Sequence, residues 1–320
     1  MKKQQFKPSN EFSKQVQSAQ SPTSDTSYCA YNRVIVFDDR IIVKRESVGS
    51  KEINYNEKSL ANLKDNKVKG KLSTKSYLHV RKHLVAWLKC LEYNKNHRVS
   101  SSGGVKHYPT MITLTLSAIQ KHDDKLLKRH LFGRFIEWIK AKYDVKYYFI
   151  RYEAQSNGNI HGHLIVDRYV SMHEIRENWN RILNRLGYVD DFEEKYKHRN
   201  PPSTHVEVLG NTTEGVNYMI GYVMKKCKNR PIQGRQYGMS DELKEMLVYD
   251  DVIDNTWSEL LDKIENDTDV YKHHDKFYSV YVFRGDFIQK YALSWLYQDM
   301  CTYYLGMFKR FYGNIGYEFN

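Results

Sequence analysis

The chain has 320 residues, enough for one large domain or for a core with an added module. Its 41% hydrophobic content excludes a wholly disordered chain, and its formal net charge of +12 points to a polyanionic partner, although any general nucleic-acid binder would share that charge. The four cysteines, Cys29, Cys90, Cys227 and Cys301, have no paired spacing, which argues against a zinc ribbon or a disulfide framework and fits a reducing cytoplasm. The start, MKKQQFKPSNEFSKQ, lacks the apolar stretch of a secretory signal. No run approaches the roughly 18 apolar residues that span a bilayer. The expectation is a soluble protein of a bacterial host cytoplasm with no membrane partner.

Residues 1–30 are rich in Ser, Gln and Lys and predict a flexible arm. An accessory region follows over 31–104. In it, Arg33-Val34-Ile35-Val36-Phe37 and Ile41-Ile42-Val43 flank Asp38-Asp39-Arg40 as a hairpin. Leu78, Val80, Leu84, Trp87, Leu88 and Leu91 form the apolar stripe of a helix from about Thr74 to Tyr93. The polar run ending in Ser101-Ser102-Gly103-Gly104 marks a boundary.

From 105 to 240 strands and helices alternate. Met111-Ile112-Thr113-Leu114-Thr115-Leu116 predicts a strand, followed by a basic helix with Leu126, Leu127, Leu131, Phe135, Trp138 and Ile139. Val145–Glu153 and Ile160–Val166 predict two strands joined by the turn Ala154-Gln155-Ser156-Asn157-Gly158-Asn159. A helix with Ile175, Trp179, Ile182 and Leu183 ends at Gly187. Pro201-Pro202 precedes a strand from His205 to Leu209, and a short helix is expected from about Glu214 to Lys226. This order predicts an α+β domain with helices packed on a largely antiparallel sheet. The remaining region, 241–320, predicts helices around Leu260, Leu261 and Ile264 and over the aromatic run Phe287–Phe311.

His161 and His163 lie two apart on a strand, so both imidazoles leave one face roughly 7 Å apart along the backbone. Two neutral imidazoles so arranged can converge on one divalent cation. Taken alone, the pair is more ordinarily two surface histidines. Glu153 ends the preceding strand across the turn and could complete a two-histidine, one-carboxylate face, or could equally pair with a cation across the strands. The mixed N/O set suits Mg²⁺ or Mn²⁺ better than structural zinc. On a helix Tyr218, Tyr222 and Lys225 occupy i, i+4 and i+7, one continuous face. A phenol needs its pKa of about 10 offset by a cation before it is a useful nucleophile. Core packing of the tyrosines is the plain alternative.

Three blocks in order carry a resemblance. Thr113-Leu114-Thr115 on a hydrophobic strand, Glu153 followed by a glycine turn and His161-Gly162-His163, and Tyr218-x-x-x-Tyr222-x-x-Lys225 resemble the three motifs of the HUH endonuclease superfamily. Within it, the chain looks like the replication initiators of rolling-circle plasmids and small single-stranded DNA phages. Gly234-Arg235-Gln236-Tyr237-Gly238 is similar to a segment that often follows in these initiators. The likeness covers roughly residues 105–240. It implies a five-stranded antiparallel palm with helices, flanked by N- and C-terminal helical additions. It also implies a metal held by His161, His163 and Glu153, Tyr222 as principal nucleophile and Tyr218 as a second one. Two positions depart from the pattern. Gly162 stands where a bulky apolar residue is usual, which should weaken strand packing, and Gly221 stands where lysine is common.

The implied activity is sequence-specific nicking of single-stranded DNA at a replication origin through a 5′-phosphotyrosine link, with a host polymerase and helicase as further partners. No Gly-x-x-x-x-Gly-Lys-Ser/Thr loop is present, which argues against a fused ATP-driven helicase. Lys226, Lys228, Arg230, Arg235 and Arg151 are candidate DNA contacts, as is the basic stretch from Lys121 to Lys146. A transposase or relaxase of the same superfamily is an alternative, though relaxases commonly use three histidines. A non-catalytic nucleic-acid binder with a similar sheet is another.

Overall fold

The computed structural model describes residues 29–47, 74–96, 109–209, 221, 230–275 and 277–313. The expected N-terminal arm, the linker before residue 105 and the helix from 214 to 226, apart from Gly221, lie outside the described residues. Strands β1 (Cys29–Val36) and β2 (Arg40–Ser47) pair antiparallel around Asp38 and Asp39, as the turn composition predicts. Helix α1 (Thr74–Asn96) follows and buries Val80, Leu84, Trp87, Leu88 and Leu91 along its predicted stripe.

The middle of the chain builds one five-stranded antiparallel sheet in the order β6-β3-β5-β4-β7. Its strands are β3 (Thr110–Thr115), β4 (Tyr148–Ala154), β5 (Ile160–Val166), β6 (Thr204–Val208) and β7 (Tyr237–Met239). Strand alternation divides its residues between two faces. Ile112, Leu114, Ile150, Tyr152, Ile160 and Leu164 point to one side. There they share a core with α2 (Asp124–Leu127), a π-helical segment (Lys128–Gly133), α3 (Arg134–Tyr143), α4 (Met172–Asn184) and α5 (Tyr188–Tyr196). Trp179 anchors this layer, its ring 5.2 Å from Phe132 and 5.6 Å from Phe135.

The opposite face is used in two ways. At one end, Met111, Phe149, Ile165 and Met239 enter a second core with α1 and α8 (Ser294–Tyr312). Hydrogen bonds secure the junction: Trp87 Nε1 donates to Tyr312 Oη at 2.9 Å, and Tyr147 Oη donates to the Phe311 carbonyl at 2.7 Å. Asp167, just past β5, is fully buried there, and burial pushes its carboxyl up to about 7 against the opposing influence of Arg168 and Tyr312. At the other end the same face carries Glu153, His161, His163, Thr113 and Thr115.

The α+β architecture is as expected, but the flanking additions are more than helical. Residues on both sides of the middle sheet join in a second five-stranded sheet, ordered β8-β1-β2-β10-β9. Its C-terminal members are β8 (Asp250–Val252), β9 (Tyr271–His274) and β10 (Tyr278–Val282), accompanied by α6 (Asn255–Asn266) and α7 (Phe287–Lys290). These strands are short, and Tyr271-Lys272-His273-His274 shows no apolar alternation, so only pairing with the distant N-terminal hairpin reveals them. Strand β7 and helix α5 likewise have no counterpart among the predicted elements.

Candidate metal centre

The geometry starts from the β4–β5 hairpin. The turn closes with Gln155 N–H donating to the Asn159 carbonyl at 2.8 Å and Gly158 N–H to the Gln155 carbonyl at 2.9 Å, with Gly158 at φ +85°. That positive φ suits glycine. The resulting register sets Glu153 opposite His161 and Arg151 opposite His163. On the other side of β5, Thr113 and Thr115 of β3 face His163 and His161. Three donor atoms consequently converge. Glu153 Oε1 lies 3.0 Å from His161 Nε2 and 2.9 Å from His163 Nε2, and the two Nε2 atoms are 2.7 Å apart.

This triangle fits a cation. Donors about 2.1 Å from an ion lie roughly 3.0 Å from one another at octahedral angles and roughly 3.4 Å at tetrahedral ones, so the observed edges suit one face of an octahedral site. Among the described residues, Glu153, His161 and His163 are the group of His, Cys, Asp and Glu side chains suited to holding a metal. His163 and Glu153 side chains are 4% and 9% exposed, and His161 is 12% exposed, so solvent reaches the triangle from the His161 side.

The electrostatics favour a charged carboxylate. Burial pushes the Glu153 carboxyl up, but hydrogen bonds and charge from His161 and His163 outweigh it and hold the group well below the usual carboxylate range. His163 Nδ1 lies 3.2 Å from Thr113 Oγ1, a contact in which the ring donates and Nε2 keeps its lone pair for the triangle. His161 Nδ1 is buried with no hydrogen-bond partner among the described residues. In sequence Thr113 stands out only as part of a strand motif. Its work on His163 follows from strand register, which the Thr-Leu-Thr alternation hints at but does not define.

Gly162 is explained by its neighbour across the face. A Cβ at this position would lie 2.7 Å from Phe132 Cε1 and 3.1 Å from Cδ1. The Phe132 ring, delivered by the π-helical segment, occupies the volume that a bulky side chain would otherwise fill. The expected loss of strand packing at Gly162 is therefore corrected: packing is supplied by Phe132, which is fully buried.

The other predicted residues divide. Tyr218, Tyr222, Lys225, Lys226 and Lys228 lie outside the described residues, while Gly221 is helical and exposed. Arg235 is exposed on the chain leading to β7. Arg151 is fully buried and donates to the Gln236 carbonyl at 2.9 Å and to Gln236 Oε1 at 2.8 Å, so its guanidinium ties β4 to the chain entering β7 instead of meeting solvent. Arg230 forms a two-pronged pair with the buried Asp124, both contacts at 2.7 Å, and its Nε donates to the Gly158 carbonyl at 2.6 Å. It thus fastens the chain after residue 229 to the β4–β5 turn. Asp124 escapes a reading of the sequence, where an acid in the first turn of a helix passes for ordinary capping.

Comparison with known proteins adds one finding. Residues 109–227 match a family model described as a replication-associated protein of the ORF2 type, a span that begins just before β3, contains the metal triangle and runs through Tyr218, Tyr222 and Lys225. No curated protein and no solved structure matches the chain. No helix among the described residues is long and apolar enough to cross a membrane. The family match supports a replication-associated role with DNA as the partner.

Proposed function

We propose that this chain initiates rolling-circle DNA replication by nicking single-stranded DNA at an origin and transferring the strand. The observation that carries the reading is the convergence of Glu153 Oε1, His161 Nε2 and His163 Nε2 within hydrogen-bond distances on the open end of the sheet. These three atoms would hold Mg²⁺ or Mn²⁺, which when bound polarises a phosphate oxygen as a Lewis acid.

The covalent work falls to the tyrosines. Tyr222 Oη attacks the scissile phosphorus in line, forming the new O–P bond as the bond to the 3′ oxygen breaks. The phenol gives up its proton, the departing 3′ oxygen gains one, and the 5′ phosphate remains esterified to Tyr222. Lys225, three residues on, offsets charge gathering on the phosphate. Tyr218, one helical turn before, serves as a second nucleophile for the return transfer. Because the phosphotyrosine ester preserves the phosphodiester's energy, no nucleotide hydrolysis is required. Lys226, Lys228 and Arg235 supply contacts to the DNA backbone. The replication-associated description of the matched family favours this reading over transposition or conjugative transfer.

The test is incubation of the full chain with single-stranded origin oligonucleotides and Mn²⁺, followed by denaturing electrophoresis. Wild type should give a covalent protein–DNA adduct, reduced in Tyr222→Phe and absent when Tyr218→Phe is added. Binding without an adduct across a broad set of candidate origins would refute nicking.

A further inference from the structure

A polar cleft opens beside the metal triangle, between residues 119–122 after β3 and residues 157–159 of the β4–β5 turn, with Arg230 closing one side. Asn159 and Ile160 lead directly into His161, so the wall of the cleft and the ligand strand are one piece of chain. We propose that this cleft is a subsite for one nucleotide of the single strand next to the scissile phosphate, with its base against Ile119 and its phosphate at Lys121. The proposal deepens the nicking reading and rests on it for the choice of ligand.

The cleft is held in shape without a ligand. Gln120 N–H donates to Asn159 Oδ1 at 2.8 Å, and Asn159 Nδ2 donates to the Ala118 carbonyl at 2.8 Å. Gln120 Oε1 accepts from Ile160 N–H at 2.7 Å and from Arg230 Nη2 at 3.0 Å. These bonds join the loop after β3, the turn and the segment at Arg230 into one frame. A frame of this kind lets a ligand bind without first ordering its receptor.

The rim has the chemistry of a nucleotide site. Ile119 is 82% exposed, a large aliphatic side chain held out to solvent at the mouth of a polar cleft, where an unpaired base could cover it. The Lys121 ammonium is half-exposed. It pairs with Asp191 at 2.6 Å and lies 5.6 Å from the Tyr188 ring centre. A solvent-exposed pair of this sort contributes roughly 0–1 kcal/mol, so a phosphate can compete for the ammonium. Asn157, exposed on the turn, adds an amide able to meet either donors or acceptors on a base edge.

The experiment measures equilibrium binding of the full chain to a fluorescent random-sequence 20-nucleotide single strand over a range of salt, with and without Mn²⁺. Wild type is compared with Ile119→Ser, Lys121→Gln and a control, Lys44→Gln, on the second sheet. Ile119→Ser should weaken binding about tenfold with the salt dependence unchanged, the loss expected when one stacking contact is removed. Lys121→Gln should weaken binding and reduce the slope of log K against log salt by about 0.7, the signature of one lost phosphate contact. The Lys44→Gln control should bind as wild type does. Wild-type affinity in both Ile119→Ser and Lys121→Gln, or no binding by wild type, would overturn the subsite. An adduct that forms normally while both variants bind like wild type would keep the nicking reading and remove the subsite. Weakened binding in both, with no adduct from wild type, would do the reverse.

Discussion

Replacing Gly162 with alanine puts one methyl group where the structure has no room for it. The new Cβ would sit 2.7 Å from Phe132 Cε1, 3.1 Å from Phe132 Cδ1 and 3.3 Å from Ile150 Cδ1. Carbon atoms pack best at about 3.5–4.0 Å, so the nearest contact must open by roughly 1 Å. Phe132 has nowhere to go. Its ring is fully buried and lies 5.2 Å from both the Tyr152 and Trp179 ring centres. Relief must come from β5 or from the π-helical segment, at a cost of about 1–3 kcal/mol.

If β5 yields, His161 and His163 move with it, so Mn²⁺ affinity falls along with stability. Urea unfolding and calorimetric Mn²⁺ titration of Gly162→Ala would show both losses. The decisive comparison is a double-mutant cycle. Phe132→Ala alone should cost about 3–5 kcal/mol through the cavity it leaves. Adding Gly162→Ala to that background should cost nothing further or recover part of the loss. Strictly additive effects, or a Gly162→Ala protein that unfolds and binds Mn²⁺ like wild type, would refute the steric account.

Two more substitutions probe separate parts of the molecule. Asp167→Asn concerns a fully buried carboxyl whose proton is held to about pH 7 in the folded chain against an ordinary value of 3.8. The folded state therefore binds more protons between those values and loses stability as pH rises through that window. The variant should melt higher than wild type at pH 8, by an amount on the order of 2–4 kcal/mol, with the gap closing near pH 4. Equal melting curves at both pH values would count against it. Thr113→Val removes the oxygen beside His163 Nδ1 while keeping the β-branched shape. It should lower Mn²⁺ affinity about 10–100-fold with an unchanged circular dichroism spectrum, and unchanged calorimetric affinity would remove Thr113 from the metal centre.

The parts of this protein readable from sequence are those that local periodicity encodes. Alternation in Met111–Leu116 and Ile160–Val166 marks the central strands, and the six-residue turn between Glu153 and Ile160 sets the register that joins Glu153 to the histidines. Gly162 is misread from sequence because its partner, Phe132, lies thirty residues earlier in a π-helical segment that no periodicity announces. Arg151 looks like a cation for DNA, yet strand alternation puts it on the same face as His163, where Gln236 covers it. Charge in a sequence says that a partner is needed, and only packing says whether that partner is inside the protein.

The second sheet bears on how the chain comes to be folded at all. Its two central pairings, β1 with β2 and β2 with β10, join residues separated very differently along the chain: Arg45 meets Ser279 across 234 positions. Closing so long a loop costs conformational entropy before any contact offsets it, and such non-local pairings form slowly. During synthesis the middle sheet has its five strands long before β10 leaves the ribosome. The metal-binding half can assemble while the N-terminal hairpin still waits for its partners, and separating residues 31–104 from 241–320 would divide one sheet between two fragments.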